Sequence, residues 1–267
     1  MQPKDFVMLR CLFFVCATLV LLTSCSTTAT TSAPTAQNPP LRVGVAPDYP
    51  PVIYKQDGTL RGIEADLATY AGAKLACPVH FVEMPFEELV PCLERGEIDV
   101  IMSGLSNTDA RREVVRFTVP YLHIGQMALL RSADAARITA AGALSSFTGR
   151  AGCLSGTTGE MYVKENMAQA ECVAFADAPA AIAALRANQI DVLIDDGPYV
   201  LFAVKEYPEL QALPWQLTDE SLAWAVSKQA SGDFLYEKLN RVLLHARQNG
   251  DLRKTINAYL DIQVRAR

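Results

Sequence analysis

The sequence predicts an α/β protein of two lobes, each built on a parallel sheet. Three observations lead there. Between Leu41 and Met102, short apolar runs alternate with helix-length amphipathic segments, the order that builds parallel sheets. After a polar, alanine-rich stretch the same order starts afresh at Arg150. The composition, 50% hydrophobic and 20% charged, is that of an ordinary globular chain, long enough for one large or two small domains.

The elements follow in order along the chain. Residues 41–45 read as a strand, 64–75 have helical periodicity, and 78–82 form a second strand. Residues 86–95 read as a helix before a third, fully apolar strand at 98–102. The run 126–131 looks like a strand crossing to a second unit. That unit repeats the pattern: strand 150–154, helix 158–168, strand 171–175, helix 178–187 and strand 190–194. Residues 221–226 look like a return strand, and 234–249 and 252–260 are amphipathic helices. No short-period repeat appears, which argues against a solenoid.

Residues 1–24 read as a targeting leader and stand outside the fold. Lys4 and Arg10 make its positive end, and 11–22 is an apolar run too short to span a membrane. Leu22-Thr23-Ser24-Cys25 resembles a bacterial lipobox, which implies a lipidated Cys25 at the mature N-terminus. Ordinary signal cleavage near the same point is the alternative. Residues 25–40, rich in Ser, Thr, Ala and Pro, read as a disordered tether because such a composition cannot bury a core. Together these segments imply a periplasmic or cell-surface location, anchored to a membrane through Cys25.

The formal charge is −5, and basic runs are lacking, which argues against a nucleic-acid partner. Beyond Cys25 the chain holds Cys77, Cys92, Cys153 and Cys172, an even number for an oxidising compartment. Four cysteines allow three pairings, of which Cys77–Cys92 with Cys153–Cys172 keeps each bridge local. Four free thiols are the alternative. A zinc site needs closer spacing and usually histidine, so no metal and no cofactor is expected.

The most informative stretch is 98–121, IDVIMSGLSNTDARREVVRFTVPY. Its apolar run stops at Ser103, Gly104 and Ser106, small residues that bare backbone N–H groups and carry hydroxyls. Arg111 follows within a turn. Guanidinium meets carboxylate as a two-pronged, charge-assisted pair, and open α/β sheets bind ligands at the carboxyl ends of their strands. A ligand carboxylate is expected here, with Arg112 and Arg116 left as surface charges. In the second unit, the strand 191–196 ends in two acids. Asp196 is the candidate ligand contact and Asp195 the alternative; such a pair can equally cap a helix before Pro198. Thr157 and Thr158 lie between a strand and a helix, where N–H groups attract anions, and one of them suits a plain N-cap. Their loop lacks the length and the lysine of a P-loop. Tyr49 and Phe86 are aromatic candidates for the pocket wall, although a lone aromatic is more often core.

Ser106-Asn107-Thr108-Asp109-Ala110-Arg111, then Phe117-Thr118-Val119-Pro120-Tyr121, resembles the extracytoplasmic amino-acid-binding proteins of ABC importers, solute-binding family 3. Gly62-Ile63-Glu64-Ala65-Asp66-Leu67 resembles that family's Gly-Φ-acid-Φ-acid-Φ segment, with Ala65 a weak match. Ala110 departs from the glutamate usual in the family. The resemblance covers about Leu41 to Leu260. It implies the two-lobed periplasmic-binding-protein fold of type II. Lobe 1 would comprise 41–126 and 222–267, lobe 2 would comprise 127–221, and two strands would form the hinge.

The same resemblance implies that Arg111, Ser106 and Thr158 hold the ligand's α-carboxylate while Asp196 takes its α-ammonium. Family members that bind cationic amino acids commonly carry an acid where this chain has Ala46, so a polar or neutral amino acid is expected; Asp48 is close enough to substitute. The implied partner is an ABC permease in the inner membrane, served by a monomer with no catalytic role. Two other classes stay open: a periplasmic dehydratase of the same fold acting on a prephenate-like acid, and a ligand sensor for a membrane partner. Only His80, His123 and His245 are present, and no Ser-His-Asp constellation appears.

Overall fold

The computed structural model describes residues 38–138 and 140–260, the side chains of Ala230 and Ser231 excepted. The expected leader, Cys25 and most of the tether lie outside the described residues. The first unit runs β1 (Leu41–Val45), β2 (Asp48–Tyr49), β3 (Ile53–Gln56), β4 (Thr59–Arg61), α1 (Ile63–Leu75) and β5 (Val79–Glu83). A 3-10 turn at Phe86–Glu88 leads into α2 (Leu89–Glu94), β6 (Val100–Ile101), α3 (Asp109–Arg112), β7 (Val115–Phe117) and β8 (Leu122–Ile124). The second unit holds β9 (Gln126–Arg131), β10 (Arg150–Leu154), α4 (Thr158–Asn166), β11 (Glu171–Phe175), α5 (Ala178–Arg186), β12 (Val192–Asp196), α6 (Gly197–Glu206) and β13 (Leu210–Ala212). The chain returns through β14 (Glu220–Leu222) and β15 (Ala225–Ser227), and ends in α7 (Ala230–Gln248) and α8 (Asp251–Tyr259).

Two five-stranded sheets result, ordered β5-β1-β6-β15-β7 and β11-β10-β12-β9-β13. In each, three parallel strands are followed by one antiparallel strand that has crossed from the other unit: β15 beside β6, and β9 beside β12. The crossings are joined to one another. Strands β8 and β14 pair antiparallel, with His123 opposite Ser221. Gly125 sits at this junction because an added side chain would run into the Thr218 carbonyl and the Gln216 side chain. Two lobes joined by two strands, with a cleft between them, is the periplasmic-binding-protein architecture of type II.

Each sheet is covered on both faces, so its central strands are apolar on both. In β6, Val100 packs on the face under α1, α7 and α8, while Ile101 packs on the face under α2. In β12, Val192 and Ile194 face α4, and Leu193 faces α5 and α6. This alternation is the period-two consequence of strand geometry. Among the described residues no helix is long and apolar enough to cross a membrane.

One expectation from the sequence needs correction. Cys77 packs against the α1 side of the first sheet and Cys92 against the α2 side, and both are free thiols. The two side chains thus pack in separate clusters, one on each face of the sheet. The Cys153 and Cys172 sulfurs, on adjacent strands β10 and β11, lie 3.6 Å apart and are likewise unbonded thiols.

Candidate ligand-binding cleft

The lobe 1 wall is built at the carboxyl ends of β1 and β6. These strands are parallel neighbours, so the loops that follow them emerge side by side. Ser103 Oγ accepts the Ala46 N–H at 2.8 Å and ties the two loops together. Gly104 takes the left-handed conformation, with φ of +67°, which a residue without Cβ adopts at little cost. Its N–H does not face a ligand; it donates inward to Glu64 Oε2 at 2.5 Å. Glu64 is completely buried at the start of α1. Burial raises its pKa to about 8, against the downward pull of the Tyr121 phenol and the Gly104 N–H. Neither Glu64 Oε1 nor Tyr121 Oη has a partner in good hydrogen-bond geometry.

Arg111 is presented by the short helix α3, whose cap Thr108 accepts the Arg111 N–H at 3.3 Å. The guanidinium donates to the Ser106 carbonyl at 3.0 Å and, across the cleft, to the Gly156 carbonyl at 2.9 Å. Its central carbon stands 5.6 Å from the centre of the Phe86 ring, within range of a cation–π contact. Burial lowers its pKa, and Asp196 and Glu220 act in the opposite sense. An arginine starts so high that it stays charged.

The lobe 2 wall comes from the start of α4 and the end of β12. The two threonines divide the work there. Thr157 is the N-cap, accepting from the Glu160 N–H at 3.4 Å and donating to the Leu154 carbonyl at 2.7 Å. Thr158 Oγ1 meets Ser106 Oγ from the other lobe at 3.4 Å. It also accepts from the Gln126 amide at 3.0 Å, and the same amide donates to Asp196 Oδ1 at 2.5 Å. Asp196 occupies the N-cap position of α6 but makes no capping bond with its side chain. Its carboxyl is free of the role that most often explains an acid before a helix.

Asp195 takes part as well. Its Oδ1 accepts from the Tyr49 hydroxyl of lobe 1 at 2.5 Å and from the Asp196 N–H at 2.8 Å. The Tyr49 and Tyr199 rings stack at 5.0 Å and 15°. Burial drives both aspartates' pKa values upward, and the Asp195 charge drives Asp196 further.

Tyr49, Phe86, Ser103, Gly104, Ser106, Arg111, Thr157, Thr158 and Asp196 all line one pocket between the lobes. Sequence reasoning passed over several others. Glu64 was visible only as part of a family motif. Gln126 was signalled faintly, as the polar first residue of an apolar crossing strand. Asp177, which carried no signal in the sequence, also lines the pocket, as do Asp48 and Asp195, which the sequence offered only as alternatives. All three histidines, His80, His123 and His245, are exposed, and none lines it.

The profile of bacterial extracellular solute-binding proteins, family 3, matches residues 41–262. The chain belongs to that family. It is 32% identical over 254 residues to a protein of Campylobacter jejuni named probable histidine-binding protein, a match that covers 92% of this chain and 96% of the relative. Among solved structures, an ancestral arginine-binding protein bound to arginine superposes with a TM-score of 0.77 at 28% identity, covering 84% of this chain and 99% of the other. An ancestral amino-acid-binding protein described as a precursor of cyclohexadienyl dehydratase gives 0.76 at 27%, covering 82% and 94%. This solute-binding protein thus captures amino acids outside the cytoplasm for an ABC importer.

Proposed function

We propose that the ligand is an α-amino acid held at both ends of its zwitterion. Arg111, with the Ser106 and Thr158 hydroxyls, takes the carboxylate, and Asp196 takes the ammonium. The observation that carries this reading is the position of a charged guanidinium and an uncapped carboxyl on opposite walls of one pocket. A zwitterion that bridges them is gripped fully only when the lobes meet, so closure reports occupancy to the permease.

Cys25 is proposed as the lipid anchor on the strength of its lipobox-like context. Mass spectrometry of the membrane-extracted protein should show a diacylated N-terminal cysteine. For the ligand, a thermal-shift screen of amino acids and small carboxylates is the direct test, since a ligand of the folded state raises stability by mass action. At least one amino acid should raise the melting temperature. A response to prephenate-like acids alone would refute the zwitterion reading.

A further inference from the structure

Helix α7 carries Phe234, Lys238, Arg241 and His245 at intervals of four, three and four. That spacing sets them on one stripe of the helix. Its other side, with Leu239, Leu243 and Ala246, is buried in the lobe 1 core. Across an open groove from the stripe stands Lys74, at the end of α1. Lys74, Lys238, Arg241 and His245 line that groove, and no carboxyl group does.

The whole chain is acidic, with a formal charge of −5, so this gathering of cations is a local feature. Elsewhere, cations such as Arg42, Arg150 and Lys164 stand against carboxylates. Among the described residues, Lys74, Lys238 and Arg241 have no ion-pair partner. Of the two acids of α7, Asp233 is turned to Arg116, which leaves Glu237 beside the stripe.

The stripe begins with an apolar group. Phe234 is 67% exposed, more than any other large apolar side chain among the described residues, and Lys238 Nζ stands 4.1 Å from its ring centre. A ring that can enter the acyl boundary, beside cations that reach headgroup phosphates, is the chemistry of an interfacial helix face. Phe234, Leu75 and Lys238 also line an adjoining groove with Asn38, Pro39 and Pro40. There the chain enters the fold, and Asn38 Nδ2 donates to the Ala76 carbonyl at 3.1 Å. Cys25 lies thirteen residues before Asn38, a stretch that reaches at most about 45 Å. An anchor at Cys25 would therefore hold this face within reach of the membrane it enters. The cleft is at the other end of the sheet, at the carboxyl ends of the strands that begin here.

We propose that Phe234, Lys238, Arg241 and His245 of α7, with Lys74 of α1, form a docking face for a membrane surface of anionic lipid headgroups. The choice of a lipid partner rests on the reading of Cys25 as the anchor. Docking here seats lobe 1 by its amino-terminal end and leaves the cleft uncovered.

Flotation of the mature chain carrying Cys25→Ser, so that no acyl chain holds it, tests the face against phosphatidylglycerol and phosphatidylcholine vesicles. The protein should float with the first at low salt and not with the second, and raised salt should release it. Lys238→Gln and Arg241→Gln should each weaken the partition about fivefold, the worth of one basic residue at an anionic surface. Both lie on the solvent side of α7 and should leave the melting temperature unchanged. Lys205→Gln, on an exposed position of lobe 2, should have no effect on partition. Equal flotation with both lipids, no flotation with either, or an equal loss from Lys205→Gln overturns the proposal. Retention only on vesicles that contain the importer, lost on substitution of the same cations, also overturns it and gives the face to the permease. Mass spectrometry reads the Cys25 anchor separately, so either reading can fail alone.

Discussion

The Tyr49 hydroxyl donates to Asp195 Oδ1 at 2.5 Å, from lobe 1 to lobe 2, across 146 positions of sequence. This bond can exist only when the cleft is shut. With the Arg111–Gly156 bond and the Ser106–Thr158 contact, it forms a set of interactions that closure gains and opening loses. Tyr49→Phe should therefore weaken binding of the best ligand by about tenfold, the worth of a hydrogen bond to a charged group at about 1.5 kcal/mol. The unfolding midpoint without ligand should move little. An affinity equal to wild type would show that the bond contributes nothing to closure.

Arg111→Ala and Asp196→Ala should each remove far more. Truncating one side of a buried charge pair costs about 2–5 kcal/mol, roughly thirtyfold to several-thousandfold in affinity. Ser106→Ala should cost only about 0.5–1.5 kcal/mol. Calorimetry orders the three. Normal binding by the Asp196 variant would move the ammonium site elsewhere.

Glu64 makes a pH prediction. Its folded pKa is about 8, raised by burial from an ordinary 4.5. Between those values the folded protein keeps the proton and the unfolded chain has lost it. Stability linked to this group is therefore present below the unfolded pKa and declines as pH rises toward 8, by at most about 1.4 kcal/mol per pH unit. Glu64→Gln cannot ionise, yet keeps an acceptor for the Gly104 N–H. Melting curves from pH 5 to 9 should show a smaller decline for the variant than for wild type. Parallel curves would mean that Glu64 titrates normally.

The cysteines should divide into two pairs of different behaviour. Cys153 and Cys172, with sulfurs 3.6 Å apart, should join when exposed to a protein disulfide donor of an oxidising compartment. Closing a loop of this length is worth about 3 kcal/mol in the chain-entropy model. Cys77 and Cys92, on opposite faces of a sheet, should stay reduced. Non-reducing peptide mapping after alkylation reads both. A Cys77–Cys92 peptide would contradict the packing of lobe 1.

The sequence made the strand–helix order legible because apolar periodicity is a local signal. Strands 126–131, 150–154 and 171–175 coincide with β9, β10 and β11. The small sheet β2-β3-β4 was missed because its strands are short and polar and the first of them lies between Pro47 and Pro50-Pro51. Helix α6 was missed because Pro198 follows a strand at once; Pro suits the first turn of a helix, where its missing N–H is no loss. Arg111 and Asp196 could be proposed from their places after strands. The approach of Asp177 to the pocket is a product of tertiary packing and left no local trace. The role of Gln126 was hidden in the same way, since both its partners lie far ahead in the chain.

Gln126 stands one residue beyond Gly125, at the junction where the chain enters lobe 2. Its amide holds the Thr158 hydroxyl and the Asp196 carboxyl. Any turn of the backbone at 125–126 carries that amide with it. Gln126 is also the register partner of Asp196 across β9 and β12, so amide, hydroxyl and carboxyl travel as one piece: a gaping cleft keeps this half of its site already assembled, waiting only for the other wall.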